Sequence, residues 1–279
     1  MVCARAGLDP RGAELLRVTA NAVFRLRAEP VVVRIAAPQS QLPRVCRMVR
    51  VARWLAEVDF PSVRLHGDLP QPVEFGEYLA TFWTYLPQSG APPLAESLAP
   101  PLRELHRLAP PFVLPRWDPI ADARRFLAAA NGLVEEDRAF LERWCDELAA
   151  ELAAVTYDLP AGLIHGDAWP GNLLSSSGGV VLCDLDQVST GPREWDLVPV
   201  IVNALRFGHS PAAARRFLER YGFDVTAWPG FPVLRRVREL TVLTGVVPVL
   251  SSSPSIAREF ARRIDGLRRG REERWRPYR

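Results

Sequence analysis

Residues Leu163 to Asp196, LIHGDAWPGNLLSSSGGVVLCDLDQVSTGPREWD, bring acids and an amide together at telling spacings. Asn172 follows Asp167 by five positions, and Asp184-Leu185-Asp186 comes after two short apolar runs, Leu173 to Ser175 and Val180 to Cys183. The Ser-Ser-Gly-Gly stretch between the runs favours a turn, so a β-hairpin is expected. Positions 172 and 184 are equidistant from residue 178, so a hairpin closing there sets Asn172 opposite Asp184. Neighbouring strands lie about 4.8 Å apart, which brings an amide oxygen and a carboxylate within reach of one cation. Magnesium takes a few hard oxygen ligands of this kind and keeps several waters. Phosphoryl transfer needs metal-held positioning and charge stabilisation more than covalent help from the protein. A further carboxylate, Asp167, is expected to face an acceptor hydroxyl, orient it and take its proton.

The Asp-x-x-x-x-Asn spacing with a later aspartate matches the protein-kinase catalytic loop. His165-Gly166-Asp167 to Asn172, then Asp184-Leu185-Asp186, then Gly191 to Asp196 resemble the aminoglycoside phosphotransferase-like small-molecule kinases. This group includes antibiotic, choline, sugar and metabolite kinases. Leu105-His106-Arg107-Leu108 resembles that group's helical leucine-histidine segment. About thirty residues are specific, although the likeness runs in order along most of the chain. The resemblance implies an α+β, bilobal, protein-kinase-like fold. Its N-lobe would be a small antiparallel sheet with one helix, and its larger C-lobe mostly helical with a β-hairpin catalytic insertion. It implies Asp167 as catalytic base, Asn172 and Asp184 as magnesium ligands, Asp196 as a brace of the catalytic loop, and His165 as a residue that fixes that loop. Asp186 stays open between service to a second metal and a solvated acid.

In this fold a basic residue on the third strand grips the nucleotide phosphates and pairs with a helical glutamate. Arg34, in Val31-Val32-Val33-Arg34-Ile35, stands at the matching place, and Met48 stands where the glutamate would be. Arginine can hold phosphate bidentately, whereas lysine acts as a point charge. Thr81 to Leu86 resembles the interlobe hinge, which implies adenine contacts near Trp83 and Tyr85; ordinary strand packing is the competing reading. No GxGxxG occurs, so the turn over the nucleotide would be Thr19-Ala20-Asn21-Ala22.

The elements that must position these residues are visible in the hydrophobic periodicity. Val23 to Arg27 and Val31 to Ile35 read as strands around a turn near Glu29-Pro30, with further strands at Val63 to Leu65, Val73 to Phe75 and Leu79 to Tyr85. Pro43 to Val58 reads as a helix with Val45, Val49, Ala52, Leu55 and Ala56 on one face. Pro87 to Pro93 is a linker, since proline and glycine interrupt both kinds of ladder. Helices are expected over Leu94 to Leu108, from Asp118-Pro119 (an N-cap followed by proline at the first position), and along Phe140, Trp144, Leu148, Leu152 and Val155. The expected division is a nucleotide-binding lobe at 1-86 and a catalytic, substrate-binding lobe at 87-279. A second His-Gly-Asp, at 66 to 68, has Val73 at the plus-five position and reads as a turn between strands.

Composition fits a globular chain: of 279 residues, 48% are hydrophobic and 24% charged. No apolar run is long enough to span a bilayer and Met1 to Pro10 lack a secretory pattern, so the expectation is a cytoplasmic protein with no membrane partner. The formal charge of +3 is too small to imply a nucleic-acid partner by itself, and none is expected. Cys3, Cys46, Cys145 and Cys183 are scattered and suggest neither disulfides nor zinc. All 35 basic residues are arginine. The arginine-rich end, Arg258 to Arg279, carries interspersed acids and reads as a solvated helix with a frayed end.

The expected cofactors are ATP, or GTP in its place, and Mg2+, and the expected partner is a small hydroxylated molecule, a natural-product antibiotic or a metabolite. From Leu197 onward sixteen arginines face seven acids, which favours a neutral or anionic acceptor over a polycation. The alternative is a non-catalytic pseudokinase, motivated by the absent lysine and by Met48. A hydrolase is disfavoured because no Gly-x-Ser-x-Gly exists.

Overall fold

The structure, a computed structural model, describes residues 2–18, 21–36, 41–88, 91–176 and 178–278. In chain order these form α1 (Val2–Arg5), β1 (Glu14–Val18), β2 (Asn21–Arg25), β3 (Val31–Ala36), α2 (Leu42–Glu57), β4 (Val73–Phe75) and β5 (Tyr78–Thr84). Next come α3 (Ala99–Leu105), α4 (Pro119–Ala128), α5 (Glu135–Ala153), β6 (Gly162–Ile164), β7 (Leu173–Ser176), β8 (Gly179–Leu182) and β9 (Ser189–Gly191). The last helices are α6 (Val198–Arg206), α7 (Pro211–Tyr221), α8 (Phe231–Thr244) and α9 (Pro254–Arg268). Among the described residues, no helix is long and apolar enough to cross a membrane.

The chain packs into two compact units, Met1–Val113 with Pro170–Val188, and Leu114–Trp169 with Ser189–Arg279. These units do not follow the 86/87 line: residues 87–113 and the β7–β8 hairpin both fall in the unit of the N-terminal sheet.

The first unit is built on a five-stranded antiparallel sheet in the order β1-β2-β3-β5-β4. Strand side chains alternate between faces. Val31 and Val33 therefore enter a cluster with Val2, Cys3, Leu26, Ala80 and Phe82, while Arg34 takes the opposite side of β3. Helix α2 starts with Pro43 in its first turn and buries Val45, Met48, Val49, Val51, Ala52, Trp54 and Leu55. Strand β1 escaped the periodicity reading because all five of its residues are exposed and its register shifts between Leu15 and Arg17. The strand expected at Val63 to Leu65 amounts to isolated bridges, Ser62 to Leu182 and Leu65 to Trp83. His66 to Asp68 is a turn, with Gly67 at φ 58°. In the expected Thr19 to Ala22 turn, Thr19 and Ala20 lie outside the described residues and Asn21 and Ala22 belong to β2; Ser89 and Gly90 of the linker also lie outside.

The second unit is mostly helical. Asp118 caps α4 by accepting from the Ala121 N–H at 2.9 Å, with Pro119 at the first helical position. The α5 stripe buries Trp144 and Leu148, joined by Leu141 and Cys145, and the helix ends before Val155.

The expected frayed end is corrected. The chain after α9 folds back, and Trp275 is 5% exposed. The Arg263 side chain is fully buried against the rings of Phe207, Trp275 and Tyr278, with its guanidinium carbon 3.7 Å from the Tyr278 centroid. Counting charges hid two aromatic anchors that stack on an arginine. Glu259 receives Nε of Arg263 at 3.0 Å, both Nε and Nη2 of Arg262, and the Arg276 N–H at 2.8 Å. Burial pushes the Glu259 carboxyl up, but these hydrogen bonds outweigh it and hold it at about 2, against an ordinary 4.5. A folded value below the unfolded one gives stabilisation that is complete above pH 4.5 and lost as pH falls toward 2. The melting temperature of the wild type is therefore expected to fall more steeply across that window than that of Glu259→Gln. Equal slopes would remove Glu259 from the acid response.

Candidate active site

Strand β6, with Leu163 and Ile164 buried, delivers His165-Gly166-Asp167 into a loop held by its own backbone. Asp196 is fully buried; its Oδ2 accepts the His165 N–H at 2.6 Å and its Oδ1 the Gly166 N–H at 2.8 Å. The indole N–H of Trp195 donates to the Gly166 carbonyl at 2.8 Å. Glu194 Oε1 accepts from the N–H groups of Asp158 at 2.8 Å and Leu159 at 2.6 Å. These three side chains come from one 3₁₀ turn, Arg193–Leu197. Gly191 lets that turn sit close to β6, since a Cβ there would lie 2.7 Å from Trp117 Cβ and 2.8 Å from Ile164 Cδ1. His165 is fully buried, and its Nδ1 accepts the Asp167 N–H at 3.3 Å.

Asp167 itself meets a residue that sequence reading missed. Arg238 of α8 places Nη2 2.7 Å from Asp167 Oδ1. Nothing in the sequence signalled the pair, because its members stand far apart in the chain and Arg238 looks like any arginine on a helix.

The β7–β8 hairpin belongs to the other unit. Its register pairs Leu173 with Leu182 and Ser176 with Gly179, and the Cys183 N–H donates to the Asn172 carbonyl at 2.9 Å. Asn172 therefore faces Cys183, and the expected pairing of Asn172 with Asp184 is corrected by one step. The reason is that the hairpin closes between Ser176 and Gly179, so its symmetry point is not residue 178. Asp184 then leaves the ladder in a left-handed conformation, φ 60° and ψ 60°. That conformation is uncommon for a side-chain-bearing residue, with Asp and Asn among the better tolerated. Asn172 is buried and Asp184 half-buried. Burial, with the Asp184 charge, pushes the Cys183 thiol up to about 12, which leaves it protonated and inert at neutral pH.

Asp186 is not a solvated acid. It is buried and forms an ion pair with Arg34 through both oxygens, with Nη1 at 2.9 Å from Oδ1 and a second, closer contact between Nη2 and Oδ2. Arg44 Nη2 stands 3.9 Å from the same carboxylate, and Arg47 donates to the Asp186 carbonyl at 3.5 Å. Met48 Sδ lies 2.7 Å from Arg34 Nη1, at the helix position expected to carry a glutamate.

Trp83 is buried in β5, and its indole N–H donates to Thr81 Oγ1 at 2.9 Å. Tyr85 follows that strand; its N–H donates to the Pro30 carbonyl at 2.7 Å and its ring lies under the Arg25 guanidinium at 4.1 Å. Of the site residues expected from sequence, His165, Asp167 and Asp196 belong to one unit, and Arg34, Trp83, Tyr85, Asn172 and Asp184 to the other. Among the described residues, no three or more His, Cys, Asp or Glu side chains cluster as a metal site. A magnesium ion asks less of the protein, and the hard oxygens of Asn172 and Asp184 suit it in kind.

A five-stranded antiparallel sheet with its helix, and a helical unit whose buried aspartate clasps a His-Gly-Asp loop, define the class of protein-kinase-like α+β proteins. The chain belongs to the phosphotransferase enzyme family, whose profile matches residues 14–240. It is an ATP-dependent phosphotransferase that acts on hydroxyl groups of small molecules. Among solved structures it is similar to an amicoumacin kinase, hAmiN, at 13% identity and a TM-score of 0.71, covering 99% of this chain and 95% of that one. It is also similar to the choline kinase LicA from Streptococcus pneumoniae, with 14% identity, a TM-score of 0.67, and 95% and 96% coverage. The aminoglycoside phosphotransferase APH(3'')-Id from Streptomyces rimosus shares 21% identity, with a TM-score of 0.62 and 86% and 95% coverage. At these identities the likeness establishes the fold. No curated protein matches the chain by sequence.

Proposed function

We propose that this chain transfers the γ-phosphoryl group of ATP, with Mg2+, to a hydroxyl of a natural-product antibiotic or a metabolite. Asp167 accepts the hydroxyl proton as the acceptor oxygen bonds to the γ-phosphorus. The bond from that phosphorus to the β–γ bridging oxygen breaks, and ADP leaves. Asn172 and Asp184 hold the magnesium ion, which neutralises charge on the phosphate oxygens when bound. Arg34 binds phosphate, and Asp186 takes the place of the missing helical glutamate as the carboxylate that orients it. Trp83 and Tyr85 lie at the adenine site, where the Trp83 indole, buried and internally bonded, serves as packing. In this reading residues 1-86 form the nucleotide lobe and 87-279 the catalytic lobe.

The observation that carries the reading is the Asp196 clasp on the two N–H groups immediately before Asp167. Two charge-assisted bonds to a buried carboxylate fix the direction in which the next side chain leaves the loop. Screening hydroxylated compounds for ATP-dependent gain of one phosphate tests it. The expected result is a product that requires Mg2+ and disappears in Asp167→Ala. Nucleotide binding without turnover, unchanged by that substitution, would sink it.

A further inference from the structure

We propose that Arg238 selects an acceptor that carries an oxyanion, a carboxylate or a phosphate, beside the hydroxyl to be phosphorylated. This rests on the reading of Asp167 as the base. The Asp167 side chain is 29% exposed and that of Arg238 is 14%, so the pair is largely withdrawn from water. Other charged residues of α8 are turned to different partners. Arg235 pairs with Glu239 and Glu272, and Arg236 with Glu147 and Glu151. Arg238 alone among these arginines is directed at Asp167, and its Nε has no hydrogen-bond partner among the described residues.

A guanidinium offers five N–H donors in a planar fork that fits carboxylate or phosphate. An acceptor with an oxyanion engages that fork, takes over part of its charge, and leaves an Asp167 oxygen available to the neighbouring hydroxyl. An ammonium group in the same place meets a like charge beside the base, with little water to screen it. Arg238 thus links recognition to base release: the correct acceptor draws the cation away from Asp167 as it binds.

The test uses the purified full chain and hydroxylated acceptors of different charge. Glycerate and glycerol phosphate are compared with glycerol and serinol, and gluconate with glucitol and glucamine; streptomycin serves as the polycation. Mg2+-dependent ATP consumption by the wild type, lost in Asp184→Ala, checks the kinase reading separately, so its failure is not confused with failure of the selectivity. The expected result is turnover of anion-bearing probes at least about tenfold above their neutral partners. In Arg238→Gln the ratio of kcat/KM for anionic over neutral probes is expected to fall toward one, about tenfold or more, and in Arg238→Lys by less than that. Glycerate against glycerol phosphate separates carboxylate from phosphate recognition. Equal or better turnover of neutral or cationic probes overturns the proposal. So does an unchanged ratio in Arg238→Gln, or failure of every anionic probe while ATP is still consumed. Should Arg238→Gln not fold, the wild-type ranking and the lysine variant decide.

Discussion

Asp184→Ala is expected to lower phosphoryl transfer by roughly a thousandfold or more while the fold survives. Asp184 is half-buried at the end of a short hairpin. Its left-handed backbone complicates alanine, which tolerates that region poorly, at a cost of about 1 kcal/mol. Asp184→Asn is therefore the sharper variant: it keeps the backbone preference and one oxygen, and removes the charge. Both variants should weaken Mg2+-dependent nucleotide binding in calorimetry, and the asparagine form should recover partly at raised metal concentration. Asp167→Ala should also slow the chemical step by about a hundredfold to ten-thousandfold, with no such recovery. An unchanged magnesium dependence in Asp184→Asn would remove this residue from the metal site.

Asp186→Ala should impair both stability and nucleotide use, because it removes the carboxylate that Arg34 grips on both oxygens. Taking one partner from a largely buried ion pair costs about 3 kcal/mol, since the remaining charge stays desolvated. Arg44 lies near enough to share the original carboxylate, so its loss also leaves two arginines facing one another. Stability in urea should fall, and the apparent KM for ATP should rise at least about tenfold, as Arg34 loses its orientation. Met48→Glu in the Asp186→Ala background tests the assignment directly. It places a carboxylate where a sulfur now lies 2.7 Å from Arg34, and should restore part of both losses. If Met48→Glu restores neither, Asp186 acts through something other than Arg34.

Local patterns carried much of the fold. Val31 and Val33 alternate with Val32 and Arg34, and Val45, Val49, Ala52 and Leu55 repeat at helical spacing. Such periods arise because one face is buried. Strand β1 has no buried face and so no readable period. The hairpin was legible, but its register was not, because register depends on which residues close the turn. Asp167, Asn172, Asp184 and Asp196 stood out through spacing within one stretch of chain. Arg34 with Asp186, Arg238 with Asp167 and Arg263 with Tyr278 did not. Each joins residues from separate elements, and a single sequence in which every cation is an arginine offers no means of matching them.

Glu194, Trp195 and Asp196 are consecutive and grip two separate stretches of backbone: Glu194 holds Asp158 and Leu159, while Trp195 and Asp196 together hold His165-Gly166. A 3₁₀ turn rotates successive side chains by about 120°, so neighbours in it can reach separate partners. Insertion or deletion of a single residue there would swing all the anchors out of phase together. An ordinary surface connection absorbs such length changes; this one behaves like a key whose teeth must keep their order.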